Sequence, residues 1–205
     1  MSNYNTIAWF YDRLASFIFG KTLINTQLFL VNAIPPASRI LIVGGGTGWI
    51  LEEIAALHPV GLSVTYIDSS SKMIALAKKR KCGANQVTFI TGTIEAVKLT
   101  GPFDIILTPF LFDNFTNKTL QKIFAGINAH LKPKGLWLYC DFHNTEVFWQ
   151  KFLLKIMYLF FRLFCGIEAT RLPDADACFA ANHFKIAKQK TFMNGFLRAC
   201  IYEKV

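Results

Sequence analysis

Four glycines in five positions, Gly44-Gly45-Gly46-Thr47-Gly48, follow four unbroken apolar residues, Ile40-Leu41-Ile42-Val43, and lead straight into an apolar periodic stretch, Trp49 to Leu57. That order reads as buried strand, tight turn and helix. Glycines at such a junction let the backbone come close to a ligand, and the free N–H groups of the helix start attract acceptor atoms. An ordinary strand-to-helix turn rarely needs so many, so the segment points to a nucleotide-type cofactor. Spacing then narrows the choice. The glycines at 44, 46 and 48 give G-x-G-x-G, whereas a dinucleotide fingerprint, G-x-G-x-x-G, would require glycine where Trp49 stands. Twenty residues after Gly48, Asp68 closes a second apolar run, Leu62 to Ile67, where a carboxylate accepts hydrogen bonds from both hydroxyls of a ribose. The glycine loop and Asp68 would hold opposite ends of one nucleoside.

Groups able to move a proton come later in the chain. Asp113, Asp141 and His143 follow apolar runs at 103–108 and 135–141, and strand ends of that kind face the ligand crevice of an open α/β sheet. His143 has the intrinsic pKa of a base at neutral pH, although a lone loop histidine also suits a surface or cap position. Asp113 equally suits the N-cap of the next helix. The five cysteines are scattered without a C-x-x-C pair and the four histidines lack metal-ligand spacing, so reduced thiols and no metal are expected.

The ordered segments ILIVGGGTG, YIDSSSKMIALAKKR, VTFITGTIEAV, FDIILTPFLF and LKPKGLWLYCDFH resemble, in sequence, the successive motifs of the S-adenosylmethionine-dependent methyltransferases with a Rossmann-like fold, over roughly 37–143. Tyr4 to Ala8 with Tyr11-Asp12 is similar to the N-terminal helix of the quinone-type members. The resemblance implies S-adenosyl-L-methionine as cofactor, with Gly44, Gly45, Gly46, Gly48, Asp68, Ser69, Met73, Thr93, Ile94 and Thr108 as its contacts. It makes Tyr11 a contact from a covering lid, a residue that also suits plain amphipathic packing. Two positions depart from the family pattern. Ile42 stands where an acid usually precedes the first glycine, and Thr93 where an acid usually follows the third strand. The first bears on loop positioning and the second on adenine contacts.

The elements that would position these residues alternate: strands near 40–43, 62–67, 87–91, 103–108 and 135–141, with helices near 48–57, 71–80 and 117–131. Alternation with short links predicts an α/β fold, a doubly wound, mostly parallel seven-stranded sheet with helices on both faces. Two apolar periodic segments, 6–19 and 21–33, precede Pro35-Pro36 and form an N-terminal helical lid. Phe184 to Phe192 and Leu197 to Glu203, about Met193-Asn194-Gly195, form a C-terminal antiparallel hairpin. The expected organisation is one domain: a cap at 1–36, a cofactor-binding core at 37–143, an amphipathic helix or lid at 144–182 and the hairpin at 183–205.

Composition bears on the acceptor. Hydrophobic residues make up 53% of the chain, with 20 Phe, more apolar surface than a core alone requires, so a greasy partner is expected. Net charge is +9, which favours anionic partners, yet no dense basic tract with interleaved aromatics marks a nucleic-acid site. Lys78-Lys79-Arg80-Lys81 reads as a solvated helix end. Glu146 to Gly166 is a long apolar stretch with Lys151, Lys155, Tyr158 and Arg162 in one narrow stripe. With three cations it is a poor membrane span; it fits either a helix lying in an anionic membrane surface or a lid with its cations in water. No basic start with an apolar run opens Met1 to Asp12, so no secretory signal and a cytoplasmic location are expected. The function expected is methyl transfer to a small, hydrophobic, quinone-like or lipidic acceptor. A non-catalytic binding module of the same fold and a nucleic-acid methyltransferase are the alternatives.

Overall fold

The computed structural model describes residues 4–205; the first three residues of the expected cap lie outside the described residues. Seven strands form one sheet: β1 (Arg39–Val43), β2 (Val60–Asp68), β3 (Ala84–Thr91), β4 (Phe103–Pro109), β5 (Leu131–Phe142), β6 (Phe184–Phe192) and β7 (Leu197–Lys204). Their order is β3-β2-β1-β4-β5-β7-β6. The first five strands pair in parallel, and β7 adds antiparallel to β5 and β6. Succession runs outward in opposite directions from β1 and β4, so the ligand crevice opens at the carboxyl ends of these two strands.

The unbroken apolar run of β1 follows from burial on both faces. Ile40 and Ile42 pack with Leu30 and Val31 of α2 (Thr22–Val31), Ile50 and Ile54 of α3 (Trp49–Leu57) and Ile74 of α4 (Ser71–Ala77). Leu41 and Val43 point the other way, into a core with Phe124 and Ile127 of α5 (Asn117–Asn128) and Phe179 of α7 (Ala175–Ala181). That second face is largely aromatic. Phe124 stacks on Trp137 with centroids 4.6 Å apart, and Phe179 on Tyr202 at 3.7 Å, so part of the phenylalanine excess is core.

Two expectations change, and the 144–182 segment holds a second helix: the residues from Ala175 form α7, because the Asp174 carboxylate caps it by accepting from the Ala177 N–H at 3.0 Å. In the basic run at the end of α4, Lys78, Lys79 and Lys81 are exposed as expected, but Arg80 is not solvated with them and folds back onto the glycine loop. The helix within 146–166, α6 (Phe148–Cys165), is present, but Tyr158 leaves its polar stripe; the buried hydroxyl donates to the Asp113 carbonyl at 3.3 Å.

The segment before the sheet is a 3-10 turn (Tyr4–Thr6), then α1 (Tyr11–Phe19), which meets α2 at 99° about Gly20-Lys21. Among the described residues no single helix is long and apolar enough to cross a membrane.

Candidate active site

A cavity of about 340 Å³ lies at the carboxyl ends of the central strands, beneath α1. This is within the range of roughly 300–1,000 Å³ common for small-molecule sites. The glycine loop contributes Gly44, Gly45 and Gly46, and the end of β2 contributes Asp68 and Ser69. Met73 of α4, Thr93 and Ile94 after β3, and Tyr11 of α1 complete the expected contacts that line it.

The loop is held at one residue from both sides. The Gly46 N–H donates to one Asp68 carboxylate oxygen at 2.9 Å, and the Gly46 carbonyl accepts from the Tyr66 hydroxyl at 3.0 Å. With φ at 65°, Gly46 is in the left-handed region, and a Cβ there would meet no protein atom within 4 Å, so its side-chain position is open. The other Asp68 oxygen accepts from the Ser70 N–H at 2.8 Å. A carboxylate has about four acceptor positions, so two remain for a pair of ribose hydroxyls. Burial pushes the Asp68 pKa above the ordinary carboxylate value, with the two N–H donors opposing the shift. An open glycine cradle next to an acid with acceptor capacity left over fits the nucleoside of S-adenosylmethionine.

Two expected contacts do not reach the cavity. Gly48 is a packing glycine: at φ 78° it lies where a Cβ would sit 2.6 Å from the Ala77 Cα of α4. Thr108 is fully buried because strand alternation turns it toward the aromatic core, where its hydroxyl accepts from the Trp137 indole N–H at 2.9 Å. The residues after it line the cavity instead, Pro109, Phe110 and Leu111. Phe110 adopts φ 50°, an uncommon conformation for a bulky residue, and rests against Phe142 with centroids 5.6 Å apart.

The N-terminal lid is tied down by residues whose part the sequence did not disclose. Asp12 accepts from the Thr47 hydroxyl at 2.7 Å and from the Arg80 guanidinium at 2.7 Å, while Arg80 Nε donates to the Thr47 carbonyl at 3.0 Å. The Asn5 side-chain oxygen accepts from the Ser70 hydroxyl at 2.7 Å, and the Tyr4 hydroxyl bonds Asn114. Only the likeness of the Tyr11-Asp12 segment to a known lid helix hinted at this clasp. Glu95, on the cavity wall two residues beyond Thr93, is an acid that spacing did not flag.

A second cavity of about 210 Å³ adjoins the first, sharing Tyr4, Tyr11, Ala15, Leu23, Phe110 and Asn114. Apolar side chains of α1 and α6, among them Ile18, Leu153, Met157 and Phe160, make most of its wall. Asp113 is its one carboxyl. Thr116 rather than Asp113 caps α5, accepting from the Thr119 N–H at 3.2 Å. The Asp113 backbone is pinned by Asp141, whose buried carboxylate accepts from the N–H groups of Phe112, Asp113 and Phe142 at 3.0, 3.1 and 2.8 Å. Burial raises the pKa of both acids, and the Asp141 charge raises Asp113 further, so Asp113 is the member of the pair that keeps its proton. His143 lines neither cavity. It lies near Arg198 of β7 and Asp176 of α7, and burial with the Arg198 charge lowers its pKa. Among the described residues no group of three or more His, Cys, Asp or Glu side chains is arranged to hold a metal.

Residues 40–135 match the family model described as a methyltransferase domain. A malonyl-[acyl-carrier protein] O-methyltransferase of Bacillus cereus is 30% identical over 146 residues, covering 69% of this chain and 52% of that protein. The chain thus spans about half the length of this relative. The ubiquinone/menaquinone biosynthesis C-methyltransferase UbiE of Geotalea uraniireducens is 28% identical over 187 residues, covering 84% and 77%. Among solved structures, the magnesium protoporphyrin IX methyltransferase of Synechocystis PCC 6803, with bound SAH, superposes with a TM-score of 0.71 at 17% identity, over 98% of this chain and 96% of that one. Kinship in sequence spans the glycine loop and the acid after β2, and likeness of fold runs nearly end to end; the chain belongs to the class I S-adenosylmethionine-dependent methyltransferases with a Rossmann-like fold.

Proposed function

We propose that this chain transfers a methyl group from S-adenosylmethionine to a small apolar acceptor, quinone-like or lipidic, seated in the second cavity. The observation that carries the reading is the adjoining of the two cavities: one offers a glycine cradle and an acid, the other an apolar wall with a single carboxyl. Two relatives act, by their names, on malonyl-[acyl-carrier protein] and in ubiquinone/menaquinone biosynthesis, and both are methyltransferases.

When bound, S-adenosylmethionine would supply an electrophilic sulfonium methyl group with a neutral thioether as its leaving group. Gly46 and Asp68 would hold the nucleoside, and Asp12 with Arg80 keeps α1 closed over it. Because the leaving group is already good, what the protein adds is approach geometry and exclusion of water. Phe110, Tyr11 and Asn114 stand where the two cavities meet and so set the line of approach. An acceptor that must lose a proton meets one carboxyl in the second cavity, Asp113, which accepts a proton only in its ionised form, the form that burial and the Asp141 charge disfavour.

The test is calorimetric titration with S-adenosylmethionine and its demethylated product, NAD serving as control, followed by transfer of a labelled methyl to a panel of quinols and acyl lipids. Micromolar binding of the first two, none of NAD, and label in an apolar product are expected. Binding without transfer to any member of the panel would sink the acceptor assignment and favour the non-catalytic module.

A further inference from the structure

We propose that the outer face of α6 docks on an anionic phospholipid bilayer, and that the acceptor enters the second cavity from that surface. The entry route rests on the apolar-acceptor reading; the docking face does not.

The helix has two apolar stripes with different fates. Leu154, Met157, Tyr158 and Phe161 pack inward against the N-terminal segment and the end of β5. A second stripe, Phe148, Phe152, Leu159 and Leu163, points into solvent, with Phe148 82% and Leu163 72% exposed. At 100° per residue these four positions fall within an arc of about 60°. Were α6 only a lid over the sheet, its large apolar side chains would be covered and its cations alone would face water. Large side chains left out along one line instead mark an interaction surface.

Charge selects the occupant. Lys151, Lys155 and Arg162 are exposed and form the neighbouring stripe, to one side of the apolar one. Lys151 pairs with Glu146 at 2.6 Å, while Lys155 and Arg162 have no acidic partner among the described residues. A second copy docked on the same face would bring two such cation stripes together without acids to receive them. Anionic headgroups accept them, while acyl chains accept Phe148, Phe152 and Leu163. The net charge of +9 has the same sign preference. Helix α6 does not cross the membrane, because its cations lie along its whole length.

The surface also communicates with the site. Ile156 is 47% exposed, adjoins the outward stripe and lines the second cavity. On α1, which supplies the facing wall of that cavity through Leu14 and Ile18, Phe17 is 89% exposed. A bilayer-soluble acceptor therefore has an apolar path between α1 and α6 that avoids water.

The test is co-sedimentation with vesicles of phosphatidylcholine alone and of phosphatidylcholine mixed with phosphatidylglycerol. The wild-type chain should bind the mixed vesicles only. Lys155→Ala with Arg162→Ala should weaken that binding roughly 25-fold, about fivefold per cation. Phe152→Ser with Leu159→Ser should weaken it by more than about tenfold. Both variants should keep the wild-type affinity for S-adenosylhomocysteine, which shows that they fold. Wild-type binding to neither vesicle, or unchanged binding by either variant, overturns the docking face. Dimers of the wild type that the serine variant dissolves, without vesicle binding, would make the occupant a second copy and overturn it too. The entry route has its own readout: the variants should lose turnover on acceptor dissolved in vesicles and keep it in detergent micelles. No turnover by wild type in either would refute the apolar-acceptor reading and leave vesicle binding unaffected.

Discussion

Replacing Asp68 by asparagine separates cofactor recognition from folding. The Asp68 carboxylate holds the Gly46 N–H on one oxygen and the Ser70 N–H on the other, at 2.9 and 2.8 Å. An asparagine keeps the shape but places an NH2 group against one of those donors. One loop bond is lost, worth about 1 kcal/mol net, and one charge-assisted bond to a ribose hydroxyl is lost, worth about 1.5–3 kcal/mol. Only the second is made on binding, and it corresponds to a rise in Kd of roughly 10- to 150-fold. Fold stability near neutral pH should change little, because the same substitution removes a buried charge whose desolvation opposes ionisation. Calorimetry with S-adenosylhomocysteine gives the first quantity and thermal unfolding the second. Since burial raises the Asp68 pKa, wild-type affinity should also fall on acidification sooner than for an ordinary carboxylate, and the asparagine variant should lack that dependence. A Kd within threefold of wild type in Asp68→Asn would refute the assignment of Asp68 to the ribose.

Breaking the lid clasp with Asp12→Ala should speed dissociation of the cofactor product in stopped-flow and weaken its binding roughly tenfold, while partly exposed ion pairs of this kind contribute only about 1 kcal/mol to stability. Gly48→Ala should cost about 3 kcal/mol or more, a fall in Tm of roughly 6–12 °C, since it combines a left-handed φ of 78° with a Cβ 2.6 Å from the Ala77 backbone; an unchanged melting curve would contradict the packing role given to it. Asp113 and Asp141 have folded-state pKa values above the unfolded carboxylate value of 3.8, so the stability they contribute is complete below pH about 4 and falls as pH rises, for Asp141 through its folded value of about 7. Chemical denaturation should accordingly show lower stability at pH 8 than at pH 5, a difference that Asp113→Asn reduces.

The sheet and its crevice were legible because each depends on local pattern. The run Ile40 to Val43 must be buried on both faces, and the short strand–helix links leave only parallel pairing. Asp68 and the glycines at 44, 45 and 46 were legible for the same reason: strand, turn and helix occur consecutively and so fix where the site lies. What did not show was whatever depends on contacts distant in sequence. Arg80 reads as the end of a charged run, and only the approach of α1 gives it Asp12 as partner, 68 residues away. Thr108 and His143 sit at strand ends, as a reader of the sequence would want, yet alternation and the β7–α7 neighbours turn both from the crevice. The two apolar stripes of α6 look alike in sequence; only packing tells which is covered.

The departure at Ile42 shows how the fold manages without the acid that the resemblance leads one to expect there. Ile42 is fully buried among Val64, Leu107 and the helices of one face, where a carboxylate would have no partner and would be costly to ionise. The loop it precedes is fixed from elsewhere. The Gly44 N–H donates to the Ile67 carbonyl at 2.8 Å, Gly46 is gripped by Asp68 and Tyr66, and the Thr47 carbonyl accepts from Arg80. Anchors at three loop residues, Gly44, Gly46 and Thr47, supplied by β2 and the segment after α4, thus stand in for one side chain on β1. Asp68 also lines the first cavity and Arg80 also holds the lid clasp, so in this chain the position of the loop, the proposed ribose recognition and lid closure meet at the loop backbone of Gly46 and Thr47. Asp12 and Asp68 hold adjacent residues of that loop, Thr47 and Gly46, so substitutions at the two should be non-additive.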